Sequence, residues 1–264
     1  MIDARVVADR LIEAERSRTP LRPFTHSYPF LDTETAYKAQ WHVVEHRLAG
    51  GEDLAGAKLG LTSRVKRDAL GIQEPVYGWL TTGMLVTSGQ PIPLSRLIHP
   101  RAEPELAFLI GKGLEPPATI GTVLAATESV CGAIEVVDSR YASRFRLQDS
   151  VADNAGAACV VLGSTVRRPS DLVDLKLVGC VFRAAGELVG TAAAGAAMGH
   201  PAAAVAWLVN TLGQRGQYLR AGSIVLSGGL TASVPLRPGA VVSAEFDGLG
   251  SVHAFASAFA SAFA

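Results

Sequence analysis

Two glutamates introduce an apolar segment near the middle of the chain, and their spacing is suited to holding a cation. Glu103 and Glu105 stand two residues apart, and the apolar run that follows them ends at Gly111. Such a run, entered through a proline-containing loop, predicts a buried strand. Because side chains alternate between the faces of a strand, both carboxylates project the same way. Two adjacent like charges repel, and a cation between them relieves the repulsion, although two solvated surface acids remain the alternative.

A third carboxylate favours the cation over the surface alternative. Glu135 lies alone at the centre of a second apolar segment, residues 133–137. A charge in such a run is seldom buried unless it is paired or coordinates a metal ion. The three acids therefore point to one site, provided that the fold brings the two segments together.

The elements that must position these acids form a mixed pattern of helices and strands. Apolar residues at helical spacing predict helices at residues 3–16, 32–50, 119–130 and 201–212, with a short helical turn at residues 64–70. Shorter runs bounded by glycine and proline predict strands at residues 58–63, 101–110, 133–137, 223–230 and 241–246. We therefore predict one α+β domain over residues 1–264, with a helical N-terminal segment at residues 1–55 and a strongly bent β core.

The last residues of the chain have a different texture. Residues 254–264 repeat Ala-Phe-Ala-Ser with a period of four, which would place Phe255, Phe259 and Phe263 on one face of a helix. We expect a frayed appendix here, without a functional role.

Composition narrows the classes of partner. The chain has 264 residues, of which 48% are hydrophobic, and its 24 basic and 24 acidic side chains give a formal net charge of zero. That balance offers no field to attract nucleic acid or an anionic membrane, so a small molecule is the expected partner. Three widely spaced cysteines and an N-terminus without the features of a signal peptide predict a reduced, cytoplasmic protein.

Five motifs, in this order, identify a resemblance to a known family. They are Gly56-Ala57-Lys58-Leu59-Gly60-Leu61-Thr62-Ser63, Glu103-Pro104-Glu105, Glu135-Val136-Val137-Asp138-Ser139-Arg140, Val151-Ala152-Asp153-Asn154-Ala155 and Gly248-Leu249-Gly250-Ser251-Val252. With them the chain resembles the fumarylacetoacetate hydrolase superfamily, in the branch of 2-hydroxypenta-2,4-dienoate hydratases and 4-oxalocrotonate decarboxylases. The resemblance implies a mixed β-roll core of the fumarylacetoacetase C-terminal-domain type and a magnesium or manganese ion held by Glu103, Glu105 and Glu135.

The chemistry of the acids agrees with that implied metal. Three carboxylates without His or Cys partners form a hard oxygen site, which suits Mg²⁺ or Mn²⁺ better than zinc. Open positions on the ion would accept a 2-oxo acid through its carboxylate and keto oxygens.

One position favours the decarboxylases over the hydratases of this branch. The hydratases carry an acid in a Pro-Asp-aromatic-Gly motif, where this chain has Pro75-Val76-Tyr77-Gly78. Hydration needs a proton-transfer group near the distal carbon, and Val76 supplies none. The segments 227–232 and 138–141 are also more similar to the decarboxylases. The resemblance therefore implies decarboxylation of 2-oxo-3-hexenedioate, with the hydratase, another superfamily enzyme acting on a C–C bond and a non-catalytic partner subunit as alternatives.

The same resemblance suggests further site residues and partners. We expect Lys58 to pair with the substrate carboxylate or to donate a proton, because it lies within the family motif at residues 56–63. Without that motif, a surface lysine at a strand edge would be the default interpretation. Arg140 is the second catalytic candidate, although it is equally suited to holding Asp153 in place. The predicted substrate contacts are Leu70, Tyr77, Ser227 and Thr231. A homo-oligomer is expected, as is an association with the hydratase or decarboxylase of the same pathway.

Overall fold

The computed structural model describes residues 2–87 and 89–257, with only the backbone described at Leu70. Its helices are α1 (Ala4–Ser17), α2 (Phe24–Ser27), α3 (Thr33–Ala49), α4 (Arg64–Leu70), α5 (Ile120–Ala126), α6 (Leu147–Ala152) and α7 (Pro201–Gly213). Its strands are β1 (Leu54–Gly60), β2 (Val76–Thr81), β3 (Leu85–Val86), β4 (Arg101–Ile110), β5 (Thr127–Val137), β6 (Ala157–Leu162), β7 (Gly179–Ala184), β8 (Glu187–Ala193), β9 (Ile224–Leu226), β10 (Val234–Pro235), β11 (Val241–Phe246) and β12 (Gly250–Phe255).

Two sheets form the centre of the molecule, which is an α+β fold with a curled, mixed sheet as predicted. The larger sheet has the order β2-β1-β9-β4-β5-β6-β3, and β10 pairs with β4. It is mixed because β1 runs parallel to β9 and β3 parallel to β6, whereas its other pairs are antiparallel. The smaller sheet, β12-β11-β7-β8, is antiparallel throughout.

The two sheets pack closely where β11 and β12 contact β5. Gly132 on β5 makes room for the ring of Phe246 on β11, because a Cβ at Gly132 would lie 2.3 Å from that ring. The β4–β5 pair, which carries all three predicted metal ligands, is thus fixed on one side by the second sheet.

The N-terminal helices cover the outer side of the larger sheet near β2. Asp3 and Asp32 cap α1 and α3, and each side chain accepts a hydrogen bond from the first turn of its helix. α3 packs against α1, α6 and the edge strand β2. Its buried Gln40 donates to the carbonyl oxygens of Tyr77 and Val151 at 2.9 and 2.8 Å, which ties β2 to α6.

Two predicted elements are corrected by the structure. The helix expected at residues 119–130 ends at Ala126, and Glu128 already belongs to β5, because Thr127 begins an extended segment that pairs with β4. The tail was expected to be a frayed appendix, but Phe255 ends β12, and Ala254 and Ala256 are buried. Phe259 and Phe263 lie outside the described residues.

Two further expectations concern cysteines and membranes. Cys131, Cys159 and Cys180 are buried and unpaired, as expected for small core residues. Among the described residues, none of the helices combines the length and apolar character needed to cross a bilayer.

Candidate metal centre and active site

The three predicted acids meet on one face of the β4–β5 ladder. Glu103 lies directly opposite Glu135 in the register, and Glu105 lies opposite Ala133 two pairs further along. Since directly paired residues and residues two apart share a face, all three side chains project together. One carboxylate oxygen from each acid lies within 4.8 Å of the others. The alternative of solvated surface acids fails, because Glu105 and Glu135 are fully buried.

Two carboxylate oxygens of the buried pair lack any donor. Oε1 of Glu105 and Oε2 of Glu135 have no hydrogen-bond partner among the described residues, whereas Oε1 of Glu135 pairs with the Lys58 ammonium at 3.1 Å. The remaining Glu105 oxygen accepts from the backbone N–H of Gly228 at 2.6 Å. Buried oxygens without partners are costly, so this arrangement indicates a group that completes the site.

Two glycines shape the wall beside the acids. Gly228 has a φ of 105°, a value that few other residues adopt, and it presents its N–H to Glu105. At Gly229 a Cβ would lie only 2.3 Å from Oε2 of Glu103. The sequence singled out this segment for the hydroxyls of Ser227 and Thr231, whereas the structure shows that its glycines contact the acids.

Lys58 is buried beside the acids. It lies on β1, opposite Leu226 on β9, which in turn lies opposite Ala107 on β4, so that its side chain is on the same face as the three glutamates. Its Nζ is 3.1 Å from Oε1 of Glu135 and donates a 3.0 Å hydrogen bond to the carbonyl oxygen of Ala155. With 2% exposure, Lys58 is not the surface lysine of the alternative reading.

The electrostatics of the cluster favour an added positive charge. Burial raises the pKa of Glu105 well above its usual range, and the Glu135 and Glu103 carboxylates raise it further. Burial also raises the pKa of Glu135, against the lowering effect of Lys58. Burial by itself lowers the pKa of Lys58, but the three neighbouring carboxylates raise it overall. The cluster therefore carries excess negative charge, and binding of either protons or a metal ion stabilises it.

The donor set fits a hard divalent ion. Three carboxylates and one ammonium carry a formal charge of −2, which one divalent cation neutralises. All candidate ligand atoms are oxygens, and a cluster without nitrogen or sulfur suits Mg²⁺ or Mn²⁺. The unpartnered oxygens of Glu105 and Glu135 are the atoms that such an ion would bind.

Arg140 has a different environment, in which its hydrogen bonds go to Asp153. Its Nε and its backbone N–H donate to the two carboxylate oxygens of Asp153, the latter at 3.0 Å, and its NH2 donates to the Asp153 carbonyl at 2.9 Å. Burial lowers the pKa of Arg140, but the Asp153 carboxylate raises it overall, and burial raises the pKa of Asp153 to about 6. These contacts keep the pair ionised at neutral pH and support the positioning alternative for Arg140 over direct substrate contact.

The structure separates Tyr77 from the acids and places Val76 on their side. In the β1–β2 register Lys58 faces Gly78 and Gly60 faces Val76, so Val76 shares the face of Lys58. Tyr77 projects the opposite way and stacks on Tyr37 with ring centroids 4.6 Å apart. Tyr77 therefore belongs to the aromatic packing against α3, and the structure does not bring it to the carboxylates.

The other predicted substrate contacts are Ser227, Thr231 and Leu70, of which the first two flank the Gly228-Gly229 wall. Ser227 is buried, and its Oγ has no hydrogen-bond partner among the described residues. Thr231 is nearly buried, and its carbonyl oxygen accepts a hydrogen bond from Lys66 Nζ on α4 at 3.1 Å. The side chain of Leu70 lies outside the described residues. Sequence reasoning overlooked Lys66, although a lysine in a helix directly after the motif at residues 56–63 was a signal.

Comparisons with known proteins agree with this geometry. The family model described as fumarylacetoacetate (FAA) hydrolase C-terminal matches residues 54–254. The chain is 38% identical over 250 residues to the 4-oxalocrotonate decarboxylase of Pseudomonas sp. (strain CF600), with 94% of each chain covered. It is 40% identical over 245 residues to the 2-hydroxyhexa-2,4-dienoate hydratase of Comamonas testosteroni, covering 91% of this chain and 92% of the relative.

A solved structure gives the same result. The 4-oxalocrotonate decarboxylase from Pseudomonas putida G7, complexed with magnesium and adipate, matches with a TM-score of 0.92 and 34% sequence identity over 96% of each chain. The fumarylpyruvate hydrolase from Pseudomonas aeruginosa, at 16% identity and a TM-score of 0.61, shares the fold. The chain therefore belongs to the fumarylacetoacetate hydrolase family.

Proposed function

We propose that this protein decarboxylates 2-oxo-3-hexenedioate to 2-hydroxypenta-2,4-dienoate in the meta-cleavage degradation of aromatic compounds. The observation that carries the proposal is the cluster of three carboxylates beside Lys58, in which Oε1 of Glu105 and Oε2 of Glu135 are buried without hydrogen-bond partners among the described residues. Glu103, Glu105 and Glu135 would hold Mg²⁺ or Mn²⁺. When bound, the ion supplies a Lewis acid for the 2-oxo acid end of the substrate. Two relatives with this activity support the proposal, as does the magnesium of the matching solved structure.

Lys58 has the contacts of a residue that acts on the substrate oxygen. An ammonium has three donors, and two of them are directed at Glu135 and Ala155, so one N–H remains for the substrate. As the bond between C5 and the distal carboxylate breaks, its electron pair moves through the conjugated system to the oxygen on C2. Lys58 stabilises that developing charge and supplies the proton of the product hydroxyl.

Val76 supports decarboxylation over hydration. It lies on the same face of the sheet as Lys58, is 3% exposed and has no group that transfers a proton. Loss of CO₂ needs no general base at the distal carbon, and an apolar wall favours the reaction by desolvating the departing carboxylate.

The cations of α4 support a substrate with two carboxylates. Lys66 and Arg67 donate only to backbone carbonyl oxygens, those of Thr231, Leu61 and Thr62, and neither pairs with an acid among the described residues. Thr231 follows the Gly228-Gly229 wall of the acid cluster by two residues. A dianionic substrate whose first carboxylate lies at the metal would bring its second toward positive charge.

The second candidate function is hydration of 2-hydroxypenta-2,4-dienoate. Identity to the hydratase of Comamonas testosteroni is 40%, as high as that to the decarboxylases, so overall similarity favours neither activity. The choice between them rests on Val76 and on the unpaired cations of α4.

A paired assay with Mg²⁺ tests the proposal. The purified protein is offered 2-oxo-3-hexenedioate in one cuvette and 2-hydroxypenta-2,4-dienoate in the other. We expect CO₂ and dienoate from the first substrate and little consumption of the second. Rapid conversion of the second to 4-hydroxy-2-oxopentanoate would contradict the proposal in favour of the hydratase, and inactivity on both would favour the non-catalytic partner.

The cysteines bear on where this reaction takes place. Burial raises the pKa of the Cys131 thiol to about 11, so the group stays a thiol at neutral pH. Together with two further unpaired cysteines, this supports a reducing compartment, and we assign the reaction to the cytoplasm.

A further inference from the structure

A left-handed turn reaches from the edge of the larger sheet to Lys58. Asn154, Ala155 and Gly156 have φ angles of 51°, 50° and 73° in succession. L-residues other than glycine rarely adopt such angles, and two adjacent ones persist only where the surroundings impose them. The carbonyl oxygen that this turn directs inward is that of Ala155, the acceptor of the 3.0 Å hydrogen bond from Lys58 Nζ.

The side chain of Asn154 holds the turn against β2. Its Oδ1 accepts from the backbone N–H of Trp79 at 2.8 Å, and its Nδ2 donates to the Trp79 carbonyl at 2.9 Å. Asn154 thus takes the place of a neighbouring strand at the free edge of the sheet. Gly78 permits the approach, because a Cβ there would lie 2.3 Å from the Asn154 carbonyl oxygen.

Both ends of the turn are anchored as well. Asp153, just before it, is held by Arg140 through its carboxylate and its carbonyl. At the other end the Gly156 carbonyl accepts from the N–H of Asp138 at 2.8 Å. The backbone around Ala155 is therefore fixed on three sides, and the hydrogen bonds of the Asn154 side chain go to Trp79.

We propose that Asn154 is a positioning residue, which fixes the ammonium of Lys58 beside Glu135 through the carbonyl oxygen of Ala155. An ammonium on a four-carbon stem is flexible, and the Ala155 hydrogen bond is its only contact with the backbone among the described residues. Loss of that acceptor leaves Lys58 attracted to all three carboxylates and free to leave the position in which its third N–H meets the substrate. The proposal rests on the role given to Lys58 in the proposed function.

The test compares Asn154→Gly with Gln40→Ala. Glycine keeps the left-handed backbone accessible and removes only the side-chain amide. The variant therefore tests the hydrogen bonds to Trp79 without adding backbone strain. Gln40 makes the same kind of edge contact, to the Tyr77 carbonyl, but its hydrogen bonds do not reach the turn. It is therefore the matched control for simple loss of edge stability. A second variant, Asn154→Asp, keeps the size and the acceptor and loses the donor to Trp79.

We expect kcat to fall about 10- to 100-fold in both Asn154 variants, the range found when supporting groups around a site are removed. KM and Mg²⁺ affinity should stay within about twofold, since the acids are untouched, and Gln40→Ala should keep kcat within about twofold. An unchanged kcat in a folded Asn154 variant, or an equal fall in Gln40→Ala, would overturn the proposal.

A crystal structure of the same variants gives a readout that does not depend on turnover. The Lys58 ammonium is expected to leave the Ala155 carbonyl while the three glutamates keep their places. An ammonium still hydrogen-bonded to Ala155 in Asn154→Gly and Asn154→Asp would overturn the proposal even if both were inactive. An inactive wild-type protein in which the variants do release Lys58 would instead contradict only the proposed function.

Discussion

The protein buries two clusters of charged side chains, which differ in whether their carboxylate oxygens all accept hydrogen bonds. Around Arg140 and Asp153, each carboxylate oxygen accepts a hydrogen bond from the arginine, which also donates to the Asp153 carbonyl. Around Glu105 and Glu135, two carboxylate oxygens lack donors and three acids share one ammonium. Glu105, Glu135, Arg140 and Asp153 are all buried, so burial alone does not distinguish the two pairs.

This difference indicates which cluster stabilises the fold and which one binds a metal ion. A buried pair in which both carboxylate oxygens accept hydrogen bonds holds its two segments together and leaves no carboxylate oxygen without a donor. An unsatisfied cluster costs folding free energy unless a further group binds, and a cation of charge +2 is the group that balances it. We therefore assign positioning to Arg140 and Asp153, and metal binding to Glu103, Glu105 and Glu135.

The largest effect is expected from Glu135→Gln, which removes a charge from the unsatisfied cluster. Activity should fall at least about 1000-fold, since a loss of about 4 kcal/mol of transition-state stabilisation by the metal corresponds to three powers of ten. Steady-state kinetics measure the loss of activity, and calorimetric titration with Mn²⁺ measures the accompanying loss of metal binding. Glu128→Gln, at an exposed acid on the same strand, is the control and should behave as wild type.

Lys58→Met should separate metal binding from turnover in the unsatisfied cluster. We expect kcat to fall about 100-fold, as is typical when a proton-transfer group is lost. Affinity for Mn²⁺ should stay the same or rise, because the variant removes a positive charge 3.1 Å from Glu135. Weaker Mn²⁺ binding in this variant would show that Lys58 supports the metal site instead of the chemistry.

Asp153→Asn should break the satisfied pair and reveal its structural role. The variant leaves the Arg140 guanidinium buried without a counter-charge, which costs about 3–5 kcal/mol of stability. Denaturant unfolding measures the loss, and Mn²⁺ affinity should not change. Asp68→Asn removes the partner of Arg64 in an exposed pair on α4 and should cost no more than about 0.5 kcal/mol. Equal losses in both variants would refute the structural assignment.

The smallest effect is expected from adding metal to the wild-type protein. At 100 times its dissociation constant, Mg²⁺ should raise the free energy of unfolding by about 2.7 kcal/mol. Glu105→Gln should lack this increase but should be the more stable of the two without metal, because it carries one buried charge fewer. Thermal unfolding with and without Mg²⁺ distinguishes the two proteins.

Local patterns in the sequence predicted some parts of the site but not others. Strand alternation is a property of each segment, so the shared face of Glu103 and Glu105 followed from their spacing alone. The position of Glu135 opposite Glu103 depends on strand register, and that of Lys58 depends on the order β1-β9-β4, neither of which the spacing reveals. The lone acid in an apolar run had indicated Glu135, whereas the resemblance to the family supplied Lys58.

Tyr77 and Asn154 show why the remainder was missed. Tyr77 and Gly78 are neighbours in one motif, but only Gly78 faces Lys58, and that parity is set by pairing with β1. The sequence at Asp153-Asn154 was equally compatible with a simple turn and with support for the site, because the left-handed backbone there depends on tertiary contacts with Trp79 and Asp138. The helix predicted at residues 119–130 was too long, because no glycine or proline marks the start of the strand at Thr127.

A crystal structure with Mn²⁺, read by its anomalous scattering, tests the central assignment most directly. We expect one strong peak bonded to Glu103, Glu105 and Glu135, with no ion at Arg140 and Asp153. The glutamate oxygens that lack hydrogen-bond donors should be among its ligands. A saturated crystal in which these carboxylates hold no manganese would contradict the account of the cluster as a metal site.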